Sequence, residues 1–264
     1  MHVKQFLIHR LRDLDASIRS GNKLKSMVFV LLRQILIIVG IKEERINNLI
    51  PDSQSNLLGY RFFTRKQSLD FLFCSKYYEL ETSDFILQSR GSVFVDVGGH
   101  IGRFAILASR GFEKVIAFEP HPSNFKSLCK NVNLNGLTNI KLVNAAASDK
   151  ESTINLSEIT TNTGMVRISE NGKIAMRCSP LSRLLTEQGI DFLAIDLILI
   201  DVEEHELEVL AGAEELLRIG NPKIIIESFD NVDKVEKILN AYGYKKIKIM
   251  DGYNYLFIKA VEIS

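Results

Sequence analysis

Cysteine is nearly absent from this chain of 264 residues, with only Cys74, Cys129 and Cys178 present. They are far apart, odd in number and never in a CxxC pair. That excludes a disulfide framework and argues against a structural zinc site. Buried thiols in a reducing compartment are the expectation. An excess of charge of either sign is also lacking: 33 Lys and Arg face 32 Asp and Glu. No global field therefore points to nucleic acid. A cleavable signal pattern is not seen at the amino terminus, and with the thiols this gives a cytoplasmic expectation. Internal repeats and low-complexity tracts are missing too. The length suits one large domain, or one domain plus an extension.

Long apolar runs are scarce. The best candidate, Met27 to Val39, is shorter than the about 20 residues that cross about 30 Å of hydrocarbon, and Arg33 and Gln34 interrupt it. Upstream and within it lie Lys4, Arg10, Arg12, Arg19, Lys23, Lys25 and Arg33 against Asp13 and Asp15. A buried helix packing on the rest of the protein is the first reading. A membrane-surface helix with basic flanks, in peripheral contact through residues 1–41, is the second.

What the chain does have is alternation. Residues 1 to about 50 read as helical and end in a polar, turn-forming stretch, Pro51 to Asn56. Residues 1–58 are thus expected to form an N-terminal helical extension and residues 59–264 a lead-in and a main domain. The lead-in has an extended piece around Tyr60 to Thr64 and a helix-like stretch from Tyr78 to Ser89. Beyond it, strands are predicted at 93–97, 115–119, 140–144, 196–201 and 223–227, with closing strands at 244–250 and 253–259. Helices are predicted near 103–110, 122–135, 180–188, 204–219 and 231–242. Apolar strands such as Leu197 to Ile200 and Ile224 to Ile226 imply a sheet covered on both faces. The fold class is therefore α/β, with a mostly parallel, doubly wound sheet. Asp251-Gly252 marks a hairpin that makes the last strand antiparallel. Residues 151–178 break the rhythm with two short strands, Glu151 to Leu156 and Lys173 to Arg177, around a polar loop at 157–172. A loop of that length is either functional or simply tolerated.

The most informative run is Val93-Phe94-Val95-Asp96-Val97-Gly98-Gly99-His100-Ile101-Gly102. A buried strand breaks into a glycine turn, and the helix behind it offers free N–H donors to a ligand. The next strand ends in Glu119, where a carboxylate accepts hydrogen bonds from ribose hydroxyls in both NAD and S-adenosylmethionine (SAM) sites. Two details favour SAM. His100 spoils the GxGxxG pyrophosphate fingerprint, and Asp96 would repel a pyrophosphate but attract the cationic methionine end of SAM.

Several ordered blocks carry a resemblance. Phe94 to Gly102, Ala117-Phe118-Glu119-Pro120-His121-Pro122, Asn144 to Asp149 and Ile200-Asp201-Val202-Glu203-Glu204-His205-Glu206, then Leu210 to Ala213, resemble the FkbM-type SAM-dependent methyltransferases over about residues 90–230. The resemblance implies a class I SAM-methyltransferase (Rossmann-like) fold, SAM as cofactor, and O-methylation of a hydroxyl on a sugar or natural-product acceptor. It also implies that Asp96, Gly98 and Gly102, in one turn with Gly99 and His100, shape the methionine end of the SAM site. Glu119 would hold the ribose, and Asn144 and Ala145 would flank the adenine. Three positions depart from the family pattern. Gly99-His100 stands for its usual Ala-Asn, Leu199 for its usual Lys, and Glu204 for its usual Gly.

A hydroxyl acceptor needs a base. Asp201, at the end of the fourth strand, and His205 are the candidates, with Glu227 on the same rim. The bland reading of Asp201-Val202-Glu203-Glu204 is a capping box ahead of a long helix. Asp201 and Glu227 lack a third ligand at convincing spacing, so no metal is expected. His121, followed by Pro122, is read as shaping a helix start. The partner expected is a small-molecule or glycan acceptor. The alternatives are N-methylation of an amine or protein side chain, where the base matters less, and a non-catalytic SAM-fold module.

Overall fold

The computed structural model describes residues 12–21, 23–38, 50, 52–157 and 162–260. The rest of the predicted N-terminal helical region and residues 158–161 of the polar loop lie outside that set. A seven-stranded sheet forms the centre, in the order β11-β12-β10-β9-β3-β4-β5. β3 (Gly91–Val97), β4 (Phe112–Phe118), β5 (Ile140–Val143), β9 (Ile195–Ile200) and β10 (Lys223–Glu227) are mutually parallel. β12 (Asn254–Lys259) runs antiparallel to β10 and to β11 (Tyr244–Met250), as the hairpin signal predicts.

Period-two alternation explains why the strands are apolar throughout. Val95, Val97, Ile116, Phe118, Ile198, Ile200, Ile224 and Ile226 point into one core layer. Phe94, Val115, Ala117, Leu197, Leu199 and Ile225 point into the layer on the opposite face. Helices Leu181–Glu187, Glu206–Ala211, Glu214–Ile219 and Val232–Ala241 contribute to the first layer, and Arg103–Ala108 and Pro122–Leu134 to the second. His121 caps the latter helix by accepting from the Ser123 amide through Nδ1 at 3.2 Å, with Pro122 in the first turn. β11 is a sheet edge and carries exposed Lys245, Lys246 and Lys248. A separate small sheet joins β6 (Ala146–Ser148), β8 (Ile174–Pro180) and β7 (Ser152–Leu156).

Two expectations need correction. The polar stretch Pro51 to Asn56 is not a mere turn: β1 (Ser53–Leu57) pairs antiparallel with β2 (Tyr60–Thr64). Its partner strand supplies Tyr60 and Phe62, and pairing with it orders a sequence that has little strand preference of its own. The turn falls at Leu58-Gly59, both at positive φ, as a tight hairpin requires. The predicted helix 204–219 is instead two helices, Glu206–Ala211 and Glu214–Ile219. A side chain at Gly212 would meet the Ser148 carbonyl at 1.8 Å, so the chain presses on β6 there and the helix breaks.

The amino-terminal region packs on the lead-in. In helix Lys23–Ile38, Phe29 and Val30 join Ala16, Leu69, Phe71 and Leu72 in a third apolar cluster. The opposite face carries exposed Leu24, Met27, Leu31 and Ile35. The buried-helix reading thus describes one face of this helix, not its whole circumference.

Arg103 ties the lead-in to the glycine turn. Its buried guanidinium donates to the carbonyls of Phe73, Ser75 (3.1 Å) and Tyr78 (2.8 Å) and to Ser83 Oγ (2.9 Å). Removing one charged donor from such a network leaves several acceptors dry. The variant Arg103→Met is expected to lose about 3 kcal/mol of stability, measured by urea denaturation.

Candidate functional site

The strand ends converge because three loops are laced together by backbone hydrogen bonds. The Gly98 and Gly99 amides donate to the Phe118 carbonyl at 2.9 and 2.8 Å, and the Asp201 amide donates to the Val97 carbonyl at 2.9 Å. Gly98 has φ of 100°, and a Cβ there would lie 1.7 Å from the Asp201 carbonyl oxygen. Only glycine fits that position. Above it opens a cleft with about 930 Å³ of empty space. Gly98, His100, Glu119, Ala145, Asp201, His205 and Glu227 all line it.

Glu119 is buried and held by two backbone donors, the amides of His100 and His121, each at 2.8 Å. Burial pushes its carboxyl up to about 7 against the pull of those donors. Asp96 sits beneath the turn. One carboxylate oxygen accepts from the Ala105 amide at 3.0 Å, and the other is buried without a partner. Burial, then the nearby Asp201 charge, push Asp96 up to about 8. Its neighbour across the sheet is Leu199, where the family pattern would put a lysine. No counter-charge stands at that position. Asn144 is engaged elsewhere: its amide donates to the carbonyls of Glu119 (2.7 Å) and Pro120 (2.9 Å), clasping the loop after β4. Asp96, Gly99, Gly102 and Asn144 do not line the cleft.

His100 adopts φ of 48°, a left-handed conformation tolerated by Asn and His more readily than by most residues. Its Nε2 lies 2.8 Å from Thr163 Oγ1, and the Thr163 hydroxyl donates to Asp70 Oδ1 at 2.6 Å. Because that hydroxyl proton goes to Asp70, the His100 Nε2 is the donor in its own bond, which fixes the tautomer. Arg65 holds Asp70 through Nε (2.7 Å) and Nη2 (2.9 Å) and, despite burial, keeps its carboxyl below the ordinary range. Burial drives His100 down to about 4, and Phe73 packs against the ring edge-to-face at 4.6 Å. Asn124 also donates to the Thr163 carbonyl at 3.1 Å. Residues 162–168 of the polar loop are thereby fixed over the cleft, and Met165, Val166 and Ile168 form part of its wall.

The far wall is acidic. Asp201 and Glu227 are hydrogen-bonded to each other, and burial together with the Asp201 charge pushes Glu227 up to about 12. Burial raises the Asp201 carboxyl as well, so the pair holds one proton between its two members. Burial pushes Glu203 up to about 7 and Glu79 to about 8, each with the Asp201 charge as the next cause. His205 places Nε2 3.0 Å from Ser148 Oγ and Nδ1 3.4 Å from Glu208, and burial lowers its pKa. The capping-box reading of Asp201 does not hold. The helix begins at Glu206, with His205 at the cap, because Glu203 and Glu204 turn the chain at φ of 50° and 74°. The family's glycine at position 204 would suit that φ without strain.

Phe73, Tyr78, Asn124 and the Asp70–Thr163 pair reach the site without having been singled out in the sequence. Asp70, Phe73 and Tyr78 come from the lead-in, whose sequence carries no motif, and Thr163 from a loop whose polarity alone does not tell roof from linker. Two residues beyond Glu227, the exposed Phe229 ring stacks on Tyr253 at 5.1 Å.

The Methyltransferase FkbM domain model matches residues 96–246. The chain belongs to the FkbM methyltransferase family. Among curated proteins it is 32% identical over 151 residues to the hexuronic acid methyltransferase AglP of Haloferax volcanii, covering 56% of this chain and 61% of that protein. It is 29% identical over 157 residues to methyltransferase sdnD of Sordaria araneosa, covering 46% and 60%. The chain thus spans about three-fifths of the length of those relatives. Among solved structures, an FkbM methyltransferase from Methylobacillus flagellatus aligns at 19% identity with a TM-score of 0.46, over 64% of this chain and 43% of that one.

Two outcomes follow from the site. Asp96 and Glu119 keep protons in the folded protein that the unfolded chain releases, so stability falls as pH rises towards their folded values of about 8 and 7. His100 acts oppositely, but only below its ordinary value of 6.5. Melting temperature is therefore expected to drop as pH rises from about 6.5 to 8, with Asp96→Asn flattening the slope in thermal denaturation. Separately, Glu204→Gly removes left-handed strain and loses only an exposed contact with Arg167. A gain of about 1 kcal/mol is expected in chemical denaturation.

Proposed function

We propose that this protein transfers the methyl group of SAM to a hydroxyl of a sugar or a small natural-product-like molecule. The observation that carries the reading is the union, in one cleft, of a nucleoside cradle and a proton-sharing carboxyl pair. Gly98, Glu119 and Ala145 form the cradle, and Asp201 with Glu227 forms the pair. The residues fit a cationic cofactor. The Gly98 position leaves no room for a side chain, Glu119 has lone pairs left for ribose hydroxyls, and Asp96, just beneath the turn, keeps one buried oxygen without a partner although it does not line the cleft. SAM supplies an electrophilic methyl group on a sulfonium, which leaves with its electron pair staying on sulfur.

The chain's own part is alignment and proton removal. The pair shares one proton and one negative charge; Asp201, at the strand end, accepts the acceptor hydroxyl proton, and Glu227 holds it in place. His205 is the second candidate base; burial keeps it neutral at physiological pH, and its two ring nitrogens lie near Ser148 and Glu208. The acidic wall of Glu203, Asp201 and Glu227 favours a neutral acceptor over an anionic one, in contrast to the hexuronic acid named for the Haloferax volcanii relative. A second reading is an amine acceptor, which attacks as the neutral free base and so needs no residue to remove a proton before the methyl group is transferred. The stacked Phe229 and Tyr253 rings suit the flat face of a sugar or phenol.

Calorimetry tests the cofactor. SAM is expected to bind, and Glu119→Ala to weaken it by tenfold or more; full affinity in that variant overturns the cradle assignment. Labelled methyl transfer to neutral glycosides, phenols and amines tests the chemistry. Asp201→Asn is expected to cut kcat by about 10²–10⁴, and Phe229→Ala to raise the acceptor KM with kcat little changed. Transfer to amines alone, insensitive to Asp201→Asn, would replace O-methylation with the second reading.

A further inference from the structure

We propose that the outward face of the Lys23–Ile38 helix docks on an anionic lipid membrane. The helix has two apolar faces, and the molecule uses one. Phe29 and Val30 turn inward, with Phe29 edge-on to Phe71 at 6.0 Å. Leu24, Met27, Val28, Leu31, Leu32 and Ile35 recur at the i, i+3, i+4, i+7, i+8, i+11 spacing of a single helical stripe. They face outward: Leu24 is 77% exposed, Leu31 59% and Ile35 56%. A helix face turned to water is ordinarily polar, yet none of these six positions is. A stripe of this kind marks a surface that something covers.

Charge identifies the partner. No carboxylate occurs from Ala16 to Lys42, whereas Arg19, Lys23, Lys25, Arg33 and Lys42 are basic. Arg33 is engaged by Asp13 at 3.0 Å and Arg19 by Asp15 at 2.7 Å. Lys23 and Lys25 are exposed beside Leu24, at the start of the stripe. In a two-fold contact with a second copy, the same lysines of both subunits would meet along a helix that carries no acid of its own, and repel. A bilayer containing phosphatidylserine offers apolar depth and the complementary sign together. The helix would lie in the interface plane, since no helix among the described residues is long and apolar enough to cross. This surface is independent of the methyl-transfer reading, and its test does not need an acceptor.

The test is co-sedimentation of the full chain with vesicles of phosphatidylcholine, alone or mixed with phosphatidylserine. Binding to the mixed vesicles is expected to be roughly tenfold stronger than to the neutral ones and to weaken at high salt. Leu31→Glu with Ile35→Glu is expected to abolish it. Lys23→Gln with Lys25→Gln should reduce it to the neutral-vesicle level, with thermal unfolding and SAM affinity unchanged. The lysine pair decides the matter even where the glutamate variant folds poorly. Equal binding to both vesicle types, or equal sedimentation of parent and lysine variant, overturns the proposal. So does a vesicle-free dimer in light scattering that the glutamates dissolve.

Discussion

One close approach organises the molecule: the backbone of Gly98 lies against the carbonyl of Asp201, with no space for even a methyl group between them. Two loops that follow parallel strands, with Gly98 and Asp201 103 positions apart in sequence, therefore share one point in space. The β4 loop joins them through the Phe118 carbonyl. Everything chemically active is referred to that point. Glu119 lies on one side of it and the Asp201–Glu227 pair on the other, so the cradle and the acidic wall keep a fixed relation.

Around this rigid edge the chain adds two pieces that are not part of the alternating pattern. The lead-in is moored by Arg103, a buried cation whose hydrogen bonds go to backbone carbonyls and one hydroxyl instead of a carboxylate. The polar loop is moored by Thr163, a small residue whose single hydroxyl bridges a neutral imidazole and a charged carboxylate. Each piece contributes wall to the cleft, and each is held by side chains from the other pieces.

The parallel sheet, its hairpin end and the family were legible because they rest on local signals: apolar runs, an Asp-Gly turn and strand-end motifs. Seven of the flagged site residues meet in the cleft. The misses have physical reasons. β1 has no strand preference of its own and is ordered by Tyr60 and Phe62 across the hairpin. The bland alternative for Asp201, a helix cap, rests on local D-x-x-E spacing, and the left-handed turn at Glu203 and Glu204 that delays the helix is not written in that spacing. The amide of Asn144 clasps two carbonyls of the preceding loop, contacts that its strand-end position does not announce. Asp70 and Thr163 meet across 93 positions, a contact that no periodicity announces.

The anchor of the polar loop has a consequence of its own. Thr163 hangs between a histidine driven down to about 4 and an aspartate held below its ordinary range, so neither end changes its protonation across physiological pH. Glu119 and Glu203, at about 7, titrate in the middle of that range. The anchor of the loop is thus blind to acidity while carboxyls that line the cleft sense it. A modest shift in the surroundings would recharge the lining of the cleft without loosening that anchor.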